Sequence, residues 1–188
     1  MKYLIIILII IMSLTMLSAE EYRIVDSRTG KTLTFSQMAK ALAKYDVIFF
    51  GEDHSNATLH KLERELIPLL NNKRELILSL EMFERDVQSD LDAYIEGWLA
   101  EEEFLAKSRP WSNYQDDYRP LIEYAKQHKI TVLAANIPRS IAGKMARTGE
   151  NFAEALTEED KKWLPQKVNY PDDNYKQAFL AAQAEMHS

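Results

Sequence analysis

The chain has 188 residues, 46% of them hydrophobic, with 5 glycines, 6 prolines, no cysteine and a formal charge of −6. That much apolar material excludes a disordered chain, and the acidic balance speaks against nucleic acid or anionic lipid as a partner. The lack of cysteine excludes disulfides, thiolate metal sites and a cysteine nucleophile, so any metal must sit on His, Asp, Glu or Tyr.

The N-terminus reads as a secretory signal peptide over residues 1–19. Lys2 supplies the positive start, Leu4 to Leu17 is apolar, and Leu17-Ser18-Ala19 offers small residues for cleavage. The apolar run is short for a membrane span. With no cysteine behind it, a lipid anchor is not expected, and the mature domain is expected over residues 20–188. The expected location is therefore the periplasm or cell envelope.

Tyr22 to Asp26 alternates, Ser27 to Lys31 contains the turn residue Gly30, and Thr32 to Phe35 alternates again, which predicts a small hairpin. Ser36 then opens a helix to about Lys44, with Met38, Ala39 and Leu42 on one face. Three continuous apolar runs follow: 47–50, 76–80 and 130–134. Continuous hydrophobicity suits strands buried on both faces of a parallel sheet. A helix is predicted over 57–70, with Leu59, Leu62, Leu66 and Leu69 inward and a kink or break at Pro68. Further helices are predicted near 87–99, 117–128 and 139–147. The rhythm argues for an α/β domain, a parallel sheet flanked by helices and preceded by the hairpin. Beyond Leu156 only two short helical patterns are visible, around a proline-containing link.

In a parallel sheet, ligands gather at the C-terminal ends of the strands. Those ends would collect Glu52 and His54, Glu81, Asn136 and Arg139, with Trp111, Tyr114 and Tyr118 approaching the same edge. Each has a plain packing role open to it. Glu52 and Asp53 can cap the following helix, a histidine after a strand can be a hydrogen-bonded structural residue, and the tyrosines can be half-buried core. Glu81, directly behind an apolar run, needs a partner such as Arg139 or a metal. His60 lies six residues past His54, off the shared helix face, and joins the site only if the helix begins late. No G-x-S-x-G, phosphate-loop or H-E-x-x-H pattern occurs. Histidine, carboxylate and tyrosinate are ligands for iron, another transition metal or a metal-bearing cofactor.

Gly51-Glu52-x-His54, "LEMFERDVQ" at 80–88, Trp111 with "YRPLIEYAK" at 118–126, and "AANIPR" at 134–139 together resemble the ChaN-like haem-binding family of the Tiki/TraB/erythromycin-esterase-like superfamily. The resemblance runs from about Thr34 to the end. It implies an exported, iron-regulated protein of haem uptake that binds ferric haem through a tyrosine, at the interface of a homodimer built around stacked haems, with an outer-membrane haem receptor as a possible partner. Tyr118 is the first candidate for the iron ligand, and Tyr175 in "PDDNYKQAF" the second. His54, His187, Arg139 and Lys144 are candidates for the propionates. Members of the family continue past the equivalent of Ser188 with a further helix and strand, so the resemblance implies that the C-terminal part of the domain is missing here. Tyr118, His54 and Glu81 are the candidate metal ligands, and a second expectation is a metal-dependent hydrolase, with His54 and Glu81 as ligand and general base around a metal-activated water. A third is a remnant without function. The binding expectation stands before the catalytic one.

Overall fold

The computed structural model describes residues 22–148, 152–167 and 171–186. The proposed signal peptide and His187 lie outside the described residues. Among those described, no helix is long and apolar enough to cross a membrane. In chain order the elements are β1 (Ile24–Val25), β2 (Thr32–Leu33), α1 (Phe35–Leu42), α2 (Ala57–Asn71), β3 (Ile77–Glu84), α3 (Gln88–Ile95), α4 (Glu101–Ser108), a π-helical turn (Tyr114–Tyr118), α5 (Arg119–His128), β4 (Thr131–Asn136), α6 (Arg139–Thr148), α7 (Phe152–Ala155), α8 (Glu158–Lys161) and α9 (Asn174–Met186). The fold is α/β. β1 and β2 form the expected antiparallel hairpin, and β3 pairs with β4 in a parallel sheet. The chain divides into two compact units. Of the described residues, one unit holds those up to Ile77 with Trp111–Thr131, and the other Leu78–Pro110 with those from Val132 on.

In the first unit α1 begins one residue earlier than Ser36, because Thr34 and Gln37 form a reciprocal capping box that satisfies two backbone donors at once. Ala39 of α1 packs with Leu66 and Leu70 of α2, and Ile48 and Phe50 lean on the same cluster. The predicted strand at 47–50 is not one. It is extended but pairs with no strand among the described residues, and its alternate residues Val47 and Phe49 face solvent. Arg74, just beyond α2, holds the start of this segment through the Tyr45 carbonyl and the Asp46 carboxylate, both at 2.7 Å.

α2 is one helix, not two. Asn56 caps it by accepting from the amides of Thr58 and Leu59, and the helix runs on through Pro68 to Asn71. Its inward face differs from the predicted one. Leu62 and Leu66 are buried as expected, but Leu59 and Leu69 are only half-buried, and His60, Glu63, Ile67 and Leu70 complete the stripe.

In the second unit Leu80 and Met82 of β3, and Val132 and Ala134 of β4, point inward, while Ser79, Glu81, Leu133 and Ala135 are exposed. The sheet is therefore buried on one face among the described residues, not on both. The Gln88 side chain supplements β4 by donating to the Val132 carbonyl and accepting from the Ala134 amide, as a neighbouring strand would. α4, which no sequence pattern marked, contributes Phe104. Its ring is fully buried, stacked on Tyr94 at 4.4 Å and tilted against Phe83. Truncating this centre removes packing that nothing else supplies. Phe104→Ala should cost about 3–5 kcal/mol of unfolding free energy in a urea titration.

Candidate functional site

The polar residues of the first unit collect where the 47–54 segment runs onto α2. Asp53 makes a local turn, its carboxylate accepting from the amide and hydroxyl of Ser55, and these bonds hold its pKa below the usual carboxylate value. That turn leaves capping to Asn56 and brings Glu52 inward. The π-helical turn supplies the opposite wall. π-turns often mark functional sites, and this one is fixed at three points. Asn113 donates to the His54 carbonyl at 3.0 Å and to Asp117 at 2.8 Å, while Arg64 of α2 donates to the Asp116 carbonyl at 2.8 Å.

His60 lies at the centre, with 0% of its surface exposed. Its Nε2 is 3.2 Å from the His54 carbonyl, an oxygen that can only accept, so Nε2 carries the ring proton. In the neutral ring Nδ1 is then a bare lone pair. It has no hydrogen-bond partner, and 3.6 Å away stands Oε2 of Glu52. Glu52 Oε2 also accepts from the Tyr118 hydroxyl at 2.7 Å and faces Nδ1 of His54 at 3.3 Å. Glu63, one turn beyond His60 on the same face of α2, is 9% exposed, and its Oε2 is unpartnered. One atom from each of Glu52, His60 and Glu63 lies within 4.8 Å of the others.

Burial dominates the electrostatics. It raises the Glu63 pKa to about 7, helped by the negative Glu52 and opposed by His60. Burial also holds the Tyr118 proton far above the usual phenol range, with the Glu52 hydrogen bond as the next cause. Rings close the cluster from the side: Trp111 packs edge-on to His54 at 4.5 Å, and His60 edge-on to Tyr118 at 4.9 Å.

Of the residues expected from sequence, Glu52, His54, Trp111 and Tyr118 are thus brought together, and His60 joins them although α2 begins early. It does so because its ring lies between the Glu52 carboxylate and the His54 carbonyl. Glu63 went unrecognised. The signal was its i+3 spacing from His60, which reads as ordinary helix surface until the helix face is known. Tyr114 is buried in the π-turn.

The others belong to the second unit. Glu81 is exposed on β3, and Arg139 approaches Glu84 instead, through its amide at 3.0 Å and its Nε at 3.7 Å. The buried Glu84 also receives Arg109, which bonds Asp86 too. Asn136 ends β4 half-buried, and Lys144 pairs with Asp160. Tyr175, in the first turn of α9, is 80% exposed.

The family model for haem-binding uptake proteins, ChaN of the Tiki superfamily, matches residues 38–188. No curated protein sequence matches. The fold is similar to that of a solved structure showing cofacial haem binding to ChaN of Campylobacter jejuni, with a TM-score of 0.61 and 21% identity. That similarity covers 88% of this chain and 63% of the other, so the chain spans less than two thirds of the length of that relative.

The raised pKa of Glu63 has a measurable consequence. An acid that holds its proton more tightly when folded contributes stability below its unfolded pKa of 4.5, and that contribution is lost as the pH rises through about 7. In chelator-treated buffer the protein should therefore lose at most about 3 kcal/mol between pH 4.5 and 8 from this residue. Glu63→Gln should flatten that slope in melts at pH 5 and pH 8.

Proposed function

We propose that this chain, which belongs to the ChaN family of haem-binding uptake proteins, binds ferric haem through Tyr175 and serves as an exported carrier in haem acquisition. The observation that carries the choice of ligand is the surface of α9. Tyr175 is exposed there, and Phe179 and Leu180, one turn on, are each half in solvent. An iron porphyrin asks for an oxygen or nitrogen donor that it can reach and for apolar surface to lie on. α9 offers both on one short helix, which Asp173 caps by accepting from the Lys176 amide.

Tyr118 meets neither demand. Its ring is 1% exposed, its hydroxyl is taken up by Glu52, and its environment favours the protonated phenol over the tyrosinate that ferric iron prefers. Its role in this reading is to hold Glu52. Among the candidate propionate partners, Arg139 has a largely exposed guanidinium with only a 3.7 Å approach to Glu84, whereas Lys144 is engaged by Asp160. Arg139 is therefore the preferred cation.

The cofacial haems of the Campylobacter jejuni protein support a further element of the proposal. A flat, apolar cofactor on an exposed helix leaves one face uncovered, and a second haem on a second copy of the chain would cover it. Export rests on the leader-like pattern of residues 1–19.

Hemin titration of the tag-free chain, read by absorbance and sedimentation together, tests this. A saturable Soret band with the high-spin ferric spectrum of a tyrosinate complex, and a monomer-to-dimer shift, is the expected result. Tyr175→Phe should lose the tyrosinate charge-transfer band, and Tyr118→Phe should keep it. A Tyr175→Phe protein with an unchanged spectrum would sink the assignment of the ligand, and unsaturable uptake by the wild type would sink haem binding altogether.

A further inference from the structure

We propose that Glu52, His60 and Glu63 form a binding site for a single divalent transition-metal ion of the zinc or manganese class, separate from the haem ligand. Three features of the first unit carry this.

The first is the tautomer of His60. A metal-binding histidine typically donates its other ring N–H to a carbonyl or carboxylate, which fixes the ring and presents the lone pair. His60 does this with Nε2 on the His54 carbonyl, with Asp117 Oδ2 a further 3.7 Å neighbour of the same nitrogen. The Asn113 amide donates to that same carbonyl and to Asp117, so the supports are themselves held.

The second is that two buried polar atoms, Nδ1 of His60 and Oε2 of Glu63, meet no hydrogen-bond donor or acceptor. An imidazole lone pair that faces carboxylate oxygen at 3.6 Å gains nothing from it, because both are acceptors. Such an arrangement inside a protein is costly unless something positive stands between them. Two candidates exist, a proton or a metal ion. A proton on Nδ1 would make an ion pair with Glu52 at 3.6 Å, longer than a hydrogen bond.

The third is span. Zinc lies about 2.0–2.2 Å from nitrogen and carboxylate oxygen in a tetrahedral arrangement, so its ligand atoms stand roughly 3.3–3.6 Å apart. The His60 and Glu52 atoms already stand 3.6 Å apart, and all three donor atoms lie within 4.8 Å of one another, so the ion draws the set together as it binds. One histidine and two carboxylates are a borderline-to-hard donor set, suited to Zn2+ or Mn2+ and unsuited to Cu+. Tyr118, donating to Glu52, orients that carboxylate as a supporting group.

The site is tested on the tag-free, hemin-free full chain after dialysis against a chelator. Zn2+ binding is followed by calorimetry, and Co2+ binding by its visible absorption. The expected result is a single saturable equivalent. Glu63→Gln, which keeps the shape of the side chain, should weaken binding at least about tenfold. His60→Ala should weaken it further, provided its circular dichroism is unchanged. His128→Ala, at the exposed end of α5, serves as the surface-histidine control and should bind as the wild type does. A wild-type protein that takes up neither ion saturably, or a folded Glu63→Gln protein with wild-type affinity, would overturn the site and leave the pair of acceptors to a proton.

Discussion

The hydrogen bond from Nε2 of His60 to the carbonyl of His54 is the constraint around which the first unit is arranged. It places a fully buried imidazole against the backbone of the very turn that brings Glu52 inward, and it decides which ring nitrogen is left bare. Glu52 cannot turn outward without leaving the Tyr118 hydroxyl unpaired in a buried position, and Tyr118 is carried by the π-turn that Asn113 and Arg64 tie down. The cluster is therefore over-determined. Each polar group is held by another, and only Nδ1 and the Glu63 oxygen are left over.

The two units hold different chemistries. The first buries its polar groups and shields them with rings, which favours a tightly held small ion or proton. The second satisfies its buried carboxylate internally, with Arg109 and Arg139 on Glu84, and exposes Tyr175 and Phe179 on α9. Tyr175 is exposed on its helix. A buried tyrosine, with its proton held by desolvation, suits a scaffold.

The fold class was legible in the sequence because it rests on long-lived periodicities. The hairpin around Gly30, β4 and α5 lie close to where the pattern put them. Errors fell where local pattern and tertiary need diverge. Residues 47–50 have the composition of a strand, but a strand exists only through a partner, and Ile48 and Phe50 find helices instead. Pro68 looked like a break, yet α2 runs through it to Asn71, with Leu66, Ile67 and Leu70 on either side buried in the core. α4 has too weak an amphipathic pattern to be seen, because its buried residues are only Phe104 and Ser108.

For the site, residue type was legible and partnership was not. Gly51-Glu52-x-His54 announced a polar turn, and the choice of carboxylate, histidine and tyrosine as the available ligands followed from composition, since the chain contains no cysteine. Which carboxylate meets which histidine depends on rotations of α2 by a fraction of a turn. Those are set by how Leu62, Leu66 and Leu70 seat in the core. Hydrophobic burial is strong but non-directional, so the sequence determined that α2 would bury a face. Only the tertiary structure decided that the face includes His60 and Glu63, and that Tyr118 packs against His60.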